Sequence, residues 1–406
     1  MNRTIKGIAF GLAAILLAFL GSYLWIKSVE SRKWAEMEKT VRDLEAIAAA
    51  RPHLRPVLRG SPEPGNALDY YKRALDQLPP GQNVTPVWSY IREETAENRS
   101  QAQEFLERHP GALATFREGT ACGDSFRRDR SEPKGQVVSM IVRCKSRLLW
   151  EEGRRREACD LLLDLLLMAQ DMERNGEVYD VLGRMVHQAA LEDLVRRVLS
   201  PDLGREELMV ISRGLEILDS SYPEFGDLLM NWAMSLGSLI LTAETLDRFL
   251  VELEYKYKRP VAWRNGFSER LMMIEVFERE LSDCRQIALG DRRSWAESRA
   301  ITESVDRDRA SYRGALLKRI SSDPLRTVQQ DSRERRARRR LLQMAAHYRG
   351  TGAVLTLPDP FGTTLLSREE NGRMRFWSVG PDGVDDGGSG TWDPKGSKDI
   401  VLELKK

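Results

Sequence analysis

Apolar residues recur at helical spacing over most of this chain, from about Trp88 to Tyr348. The pattern is clearest in the segment Val137–Leu199, where Gly153 marks a turn and a leucine-rich run, Ala158–Met172, follows it. Intervals of three and four residues place apolar side chains on one face of a helix, and that face must pack against other helices. The sequence therefore predicts a mainly α fold, in which residues 88–348 form an α-helical solenoid or an irregular bundle.

The segment Gly7–Ile26 has twenty residues and no charged side chain. As a helix with a rise of about 1.5 Å per residue, it is long enough to span the hydrocarbon core of a bilayer. A cleaved signal peptide is the alternative, but its apolar region would be shorter, and no small-x-small cleavage site precedes Lys27. The sequence predicts an uncleaved transmembrane anchor over residues 1–28, so the membrane is the first predicted partner.

Three further segments are predicted from the spacing of apolar residues and from composition. Apolar residues at helical spacing indicate that the anchor helix continues as an amphipathic stalk over residues 29–51. Residues 52–87 contain seven prolines and are predicted to be a linker with one short helix around residues 67–78. Residues 349–406 are rich in glycine and aspartate between short strand-like runs, which predicts a small antiparallel β module.

The loop near the end of this module has the composition of a cation site. Five aspartates fall within eighteen positions and six glycines are interleaved with them: Asp382, Asp385, Asp386, Asp393 and Asp399, with Gly380, Gly383, Gly387, Gly388, Gly390 and Gly396. Carboxylates this close repel one another unless a cation or solvent separates them, and calcium takes six to eight oxygen ligands. An EF-hand is excluded, because Val384 occupies a ligand position and a predicted strand precedes the loop. A solvated Gly/Asp turn without an ion is the alternative.

The order of motifs in this region resembles the C-terminal half of a type II secretion major pseudopilin. Three motifs carry the resemblance: Asp359-Pro360-Phe361-Gly362, then Trp377-Ser378-Val379-Gly380-Pro381-Asp382-Gly383, then Lys398-Asp399-Ile400. The resemblance covers about residues 340–402. The same ending closes a group of uncharacterised membrane-anchored helical proteins of planctomycete-like bacteria, which the chain resembles over most of its length.

In pseudopilins a glycine-rich acidic loop closes around calcium, so the resemblance implies a calcium site here. The implied ligands are the carbonyl of Val379 and the carboxylates of Asp382 and Asp399. Asp393, in the same loop, completes the predicted set. The N-terminus departs from the family, because no leader-peptidase site and no early glutamate interrupt the segment Gly7–Ile26.

The charge pattern and the resemblance predict opposite sides of the membrane for the body of the protein. Two basic side chains, Arg3 and Lys6, precede the anchor, whereas five lysines and arginines follow it within residues 27–42. Counted literally, the positive-inside rule leaves the body in the cytoplasm. The resemblance implies the opposite side, where calcium is abundant. We expect a single-pass protein of a bacterial inner membrane whose bulk is periplasmic or extracytoplasmic.

Other patterns exclude some classes of function. The formal net charge of +2 predicts no nucleic-acid partner. The six arginines within Arg333–Arg340 are interpreted as a solvated helix face paired with acids. The four cysteines, Cys122, Cys144, Cys159 and Cys284, have no zinc-like spacing; two disulfides and buried free thiols are both open. The common hydrolase, NTPase and dehydrogenase motifs are absent from the sequence.

Together these patterns predict a non-enzymatic envelope protein. Its helical body would bind an unidentified protein partner, and its calcium-stabilised β module would serve beside a secretion or pilus system. A minor pseudopilin-like filament subunit is one alternative, opposed by the departing N-terminus and by the long helical body. An enzyme without a readable motif, drawing acids and bases from the helical body, is the other alternative.

Overall fold

The computed structural model of this protein describes residues 3–50, 55–79, 84–125, 135–175, 181–242, 269–291, 293–311, 325–392 and 398–405. Within these ranges there are thirteen helices and, near the C-terminus, a three-stranded antiparallel sheet. The prediction of a mainly α fold with a small antiparallel sheet near the C-terminus is confirmed at this level.

The helices are α1 (Arg3–Ala50), α2 (Ala67–Asp76), α3 (Thr85–Arg92), α4 (Ala96–Arg108), α5 (Pro110–Ala121), α6 (Gly135–Glu151), α7 (Arg155–Asn175), α8 (Val181–Leu199), α9 (Arg205–Ser220), α10 (Phe225–Thr242), α11 (Glu269–Asp291), α12 (Trp295–Ser311) and α13 (Leu325–Thr351). The strands are β1 (Glu63–Asn66), β2 (Cys122–Asp124), β3 (Leu366–Glu370), β4 (Arg373–Ser378) and β5 (Ile400–Lys405). Strands β1 and β2 pair in parallel, and β4 lies between its antiparallel neighbours β3 and β5.

The chain divides into two compact units, and both are discontinuous in sequence. The first comprises Met1–Arg51, Trp232–Gln286 and Asp308–Ser322, and the second comprises Pro52–Asn231, Ile287–Arg307 and Asp323–Lys406. The sequence interpretation of one continuous helical body over residues 88–348 did not anticipate this division. The reason is that apolar spacing identifies helices but not the helices they pack against.

In the first unit, the C-terminal half of α1 is packed rather than free. Met37 and Val41 are buried. Gly237 of α10 lies so close to this face that an added Cβ would be 2.5 Å from Val41 Cγ2 and 2.6 Å from Phe277 Cε2. The amphipathic stripe that predicts a stalk over residues 29–51 is therefore an interior packing surface of this unit.

The predicted anchor is continuous with this packed segment, because α1 runs without a break from Arg3 to Ala50. Where side chains are described, no helix is both long enough and apolar enough to cross a membrane. Of the predicted span Gly7–Ile26, the side chains of residues 7–15 lie outside the described part of the chain.

The core of the second unit surrounds α7. The leucines of its central turns, in the run Leu161–Leu167, are at most 1% exposed whichever way they point. A helix that is apolar on all sides must be covered on all sides, and α7 contacts α6, α8 and α9. Helix α13 packs along α9 and also contacts α8, β4 and β5. Leu161–Leu167 is thus a core segment of the second unit.

Described residues of the segment predicted as a proline-rich linker, residues 52–87, contribute to the core of the second unit. Leu68 and Tyr71 of α2 are buried, and α2 packs against α5. Arg55 is fully buried and forms an ion pair with Asp171 of α7 at 2.9 Å. Prolines indicate turns in the chain, but they do not show whether the turns lie on the surface or against a core.

Candidate functional site

Asp359 connects the start of the β module to the end of β4. Its buried carboxylate accepts hydrogen bonds from the Phe361 N–H at 3.0 Å, the Ser378 hydroxyl at 2.7 Å and the Val379 N–H at 2.9 Å. Burial raises the pKa of Asp359 in spite of these donors. One carboxylate thus holds together the turn and the strand end on which the resemblance to pseudopilins depends. The sequence reading assigned no role to this residue.

Asp399 is the second buried carboxylate of the module, and it closes the acidic loop. Its Oδ2 accepts a hydrogen bond from the Gly388 N–H at 2.8 Å, and its Oδ1 accepts one from the Asp386 N–H at 3.4 Å. Burial raises the pKa of Asp399, and the charges of Asp385 and Asp386 raise it further. The loop therefore concentrates negative charge around one buried carboxylate.

Three of the four predicted calcium ligands lie in the described part of the chain. Asp399 is buried in the loop, whereas Asp382 is partly exposed and its Oδ1 accepts the Val384 N–H at 3.0 Å. Val379 follows β4, and Asp393 lies outside the described residues. Within the described ranges, no group of three or more His, Cys, Asp or Glu side chains is arranged to hold a metal ion. Calcium at this loop stays a prediction.

Two glycines let the loop backbone lie directly against the chain before β5. Gly380 has a φ of +68°, and a Cβ at this position would be 2.3 Å from the carbonyl oxygen of Lys398. A Cβ at Gly390 would be 1.6 Å from the carbonyl oxygen of Asp399. Because side chains are excluded at both positions, the glycine content of the loop has a packing reason that does not depend on an ion.

The arginine run of α13 is not the solvated face that the sequence predicts. Four of its members are buried: Arg335, Arg338, Arg339 and Arg340. Arg339 and Arg340 form ion pairs with Asp219 of α9 at 3.1 and 2.8 Å. The expected pairing with acids is present, but it occurs inside the second unit. The sequence shows how arginines are distributed around a helix, and it does not show which acids neighbouring helices supply.

The same arginines attach the β module to α13 through backbone carbonyls. Arg333 donates to the Pro360 carbonyl at 2.6 Å, and Arg340 donates to the Pro358 carbonyl at 2.7 Å. Arg338 donates to the Trp392 carbonyl at 3.1 Å. From α12, the Trp295 indole N–H donates to the Pro381 carbonyl at 2.8 Å. Charged donors bound to neutral carbonyls hold the irregular parts of the module in place.

A buried charge network lies where α7, α8 and α13 meet. Glu173 accepts a hydrogen bond from the Tyr222 hydroxyl at 2.8 Å, and it lies 3.3 Å from both Arg335 Nε and His187 Nδ1. Burial by itself would raise the pKa of Glu173, but Arg335, His187 and Tyr222 outweigh it and lower the pKa to about 2. Burial lowers the pKa of His187. In the sequence, the acids within the leucine-rich helix α7 were the signal that could have indicated this network. The histidines are scattered along the chain and gave no such signal.

The four cysteines are free thiols, and all four are buried. Burial raises the pKa of Cys144 and of Cys159 to about 12. A thiol is a nucleophile only as a thiolate, so these two side chains are chemically inert at neutral pH. Of the two possibilities that the sequence left open, the structure has buried free thiols.

The chain matches no protein-family model, and no curated protein or solved structure is significantly similar to it. The resemblances to pseudopilins and to the anchored helical proteins of planctomycete-like bacteria therefore stay predictions. The roles described above for the site residues are therefore based on geometry and electrostatics alone.

Proposed function

We propose that this chain is a single-pass protein of a bacterial inner membrane. Helix α1 tethers a helical scaffold to the membrane, and the scaffold binds another protein outside the cytoplasm. Calcium stabilises the acidic loop of the β module, and the protein serves beside a secretion or pilus apparatus. The role is one of binding and support rather than catalysis.

The observation that carries the proposal is an apolar surface around the N-terminal part of α1. Seven large side chains are exposed by 54–72%: Leu16, Leu17, Phe19, Leu20, Tyr23, Leu24 and Trp25. At about 100° per residue these positions cover most of the helix circumference, so one neighbouring helix would leave many of them in water. Large contiguous apolar patches mark interaction sites, and a bilayer surrounds a helix on all sides.

The calcium part of the proposal is supported by the electrostatics of Asp399. Its pKa is raised by burial and by the charges of Asp385 and Asp386, so its ionised form is disfavoured in the folded protein. A divalent cation beside the loop would offset both effects, because it attracts all of these carboxylates at once. Asp382 and the carbonyl of Val379 are the further proposed ligands, with Asp393 completing the set.

The membrane tether is tested by fractionation of the full-length chain. We expect the protein in the membrane pellet after washing with high salt and alkaline carbonate. A chain without residues 1–27 should be soluble. The double variant Leu17→Lys with Leu20→Lys should weaken insertion by about 3 kcal/mol per substitution, because lysine is strongly disfavoured and leucine is favoured at the centre of a span.

Leu289→Lys is the matched control, since Leu289 is 76% exposed but lies far along the chain in α11. It should leave the protein in the pellet. Recovery of the unmodified full-length chain in the soluble fraction would rule out the tether. Equal behaviour of the double variant and the control would assign membrane association to another part of the chain.

A further inference from the structure

A cavity of about 320 Å³ lies in the second unit beside α7. Six charged or polar residues line it: Arg59, then Arg117 and Thr120 of α5, then Glu157, Asp160 and Asp164 of α7. Pockets for small molecules have volumes from roughly 300 to 1,000 Å³, so the cavity suits a small ligand. The three acids are spaced by three and four residues, which puts them on one face of α7.

Asp164 has an acceptor atom that the described residues leave unused. Its side chain is only 1% exposed, and Arg59 donates to its Oδ1. Its Oδ2 is buried and has no hydrogen-bond partner within the described part of the chain. Burial raises the pKa of Asp164 to about 6, although Arg59 and Arg117 both lower it. A buried carboxylate oxygen in a polar cavity needs a donor, and here the donor has to come from outside these residues.

Arg117 is the complementary unused group. Its side chain is exposed, and it forms no ion pair with any described residue. Arg117 lines the cavity together with Glu157 and Asp164, and its charge lowers the pKa of both acids. Five N–H donors in a planar fork suit a carboxylate, which can accept two of them at once.

The remaining charges of the cavity are already paired. Arg59 lies 3.2 Å from Asp160 Oδ1 in addition to its contact with Asp164. Glu157 is bound by Arg154 at 2.7 Å. Asp160 Oδ1 also accepts no hydrogen bond, but its charge is paired with Arg59. The groups of the cavity with neither an ion pair nor a hydrogen bond among the described residues are thus the oxygen Asp164 Oδ2, deep inside, and the Arg117 guanidinium, at the exposed side.

We propose that this cavity binds a small zwitterion, a molecule of amino-acid size with an ammonium group and a carboxylate. The ammonium donates to Asp164 Oδ2, and the carboxylate is held by Arg117. Both unsatisfied groups are then paired, and the net charge of the cavity does not change. A simple amine would leave Arg117 unpaired, and a simple carboxylic acid would leave Asp164 without a donor.

The test is calorimetric titration of the full-length protein, in detergent, with unbranched ω-amino acids from glycine to 6-aminohexanoate. Because each added methylene increases the distance between the two charges, one length should fit best. We expect saturable binding of that probe, with a dissociation constant at least about tenfold lower than that of butylamine or butyrate. Each single-charge probe can satisfy only one of the two groups.

Two variants separate the proposal from non-specific binding. Arg117→Gln, at an exposed position that leaves the fold intact, should weaken the best probe by about tenfold or more, and Asp164→Asn should do the same. Arg205→Gln is the control, because Arg205 is an exposed arginine without an ion pair in the described residues, at the start of α9. The proposal is overturned if no probe saturates the protein, or if the best probe binds Arg117→Gln as tightly as wild type. Tighter binding of butylamine than of every zwitterion would also overturn it.

Discussion

At the scale of single residues, the interior of the second unit depends on charges that satisfy one another. Asp171 is paired with Arg55, Glu173 with Arg335, and Asp219 with arginines of α13. A buried ion pair contributes little net stability compared with apolar residues of the same shape, but removal of one partner leaves an uncompensated charge in a poor solvent. These residues are therefore sensitive positions, and the sequence alone suggests surface roles for most of them.

Glu173→Gln should destabilise the protein by about 3–5 kcal/mol, because Arg335 would lose its buried counter-charge. The pKa of Glu173 in the folded protein is about 2, against 4.5 for the free side chain. Its stabilising effect is thus fully present above pH 4.5, and it is lost as the pH falls towards 2. Urea unfolding of wild type and variant at pH 7 and pH 3 measures both effects, and the difference between the two proteins should shrink at pH 3.

Glu216→Gln is the control for that substitution. Glu216 is an exposed acid of α9 and has no ion pair in the described residues, so the change should alter the free energy of unfolding by less than about 0.5 kcal/mol. A similar small effect of Glu173→Gln would show that the network around His187 and Tyr222 does not need the charge.

At the scale of elements, the β module combines a regular sheet with an irregular loop. The sheet is secured by cross-strand pairs such as Arg375 with Glu403 at 2.8 Å, on the exposed side, and by Phe376 and Leu402 in the interior. The described part of the loop has no such cross-strand pairs. It depends on the Asp399 carboxylate, which accepts hydrogen bonds from two backbone N–H groups of the loop. An ion would therefore act on the part of the module that has the least support from the sheet.

Calcium should raise the melting temperature of the full-length protein in detergent, and a chelator should reverse the change. Binding contributes about 2.7 kcal/mol when free calcium is 100-fold above the dissociation constant. Asp399→Asn should abolish the response, because the loop loses the carboxylate on which the others converge. Magnesium should substitute poorly, since it requires short octahedral contacts that a wide loop does not enforce.

Asp76→Asn, at an exposed carboxylate of α2, should leave the calcium response unchanged. Equal melting temperatures of the wild type with calcium and with chelator would show that the loop is an ordinary Gly/Asp turn without a calcium ion, closed by glycine packing alone.

At the scale of the whole molecule, the sequence predicts elements well and their partners poorly. The short helix expected at residues 67–78 is present as α2, Ala67–Asp76, because its apolar spacing is a local property. Neither the core position of Arg55 nor the two discontinuous units could be predicted, since both depend on contacts between distant segments. A charged residue such as Arg338 is predicted to be exposed to solvent unless its partners are known. The cavity beside α7 was missed for the same reason, although acids within a leucine-rich helix were a signal that something polar lay there.

Sidedness belongs to this scale, because it decides where the entire scaffold works. Alkaline phosphatase fused after Lys406 should be active in intact cells, as this enzyme matures only outside the cytoplasm, and a fluorescent reporter that requires the cytoplasm should be dark at the same position. The reverse pattern would mean that the positive charges after the anchor determine the orientation, as the literal positive-inside count predicts.

Arg55 stands at the entrance of the second unit, four residues after the chain leaves the first. Its guanidinium donates to Asp171, to the Tyr71 hydroxyl and to the backbone carbonyls of Gly119, Thr120 and Cys122. In mechanical terms this is a fastening point: one side chain ties the first described residues of the second unit to α2, α5, α7 and β2. A load on these residues would be shared among several bonds, so we expect the start of the second unit to resist unravelling.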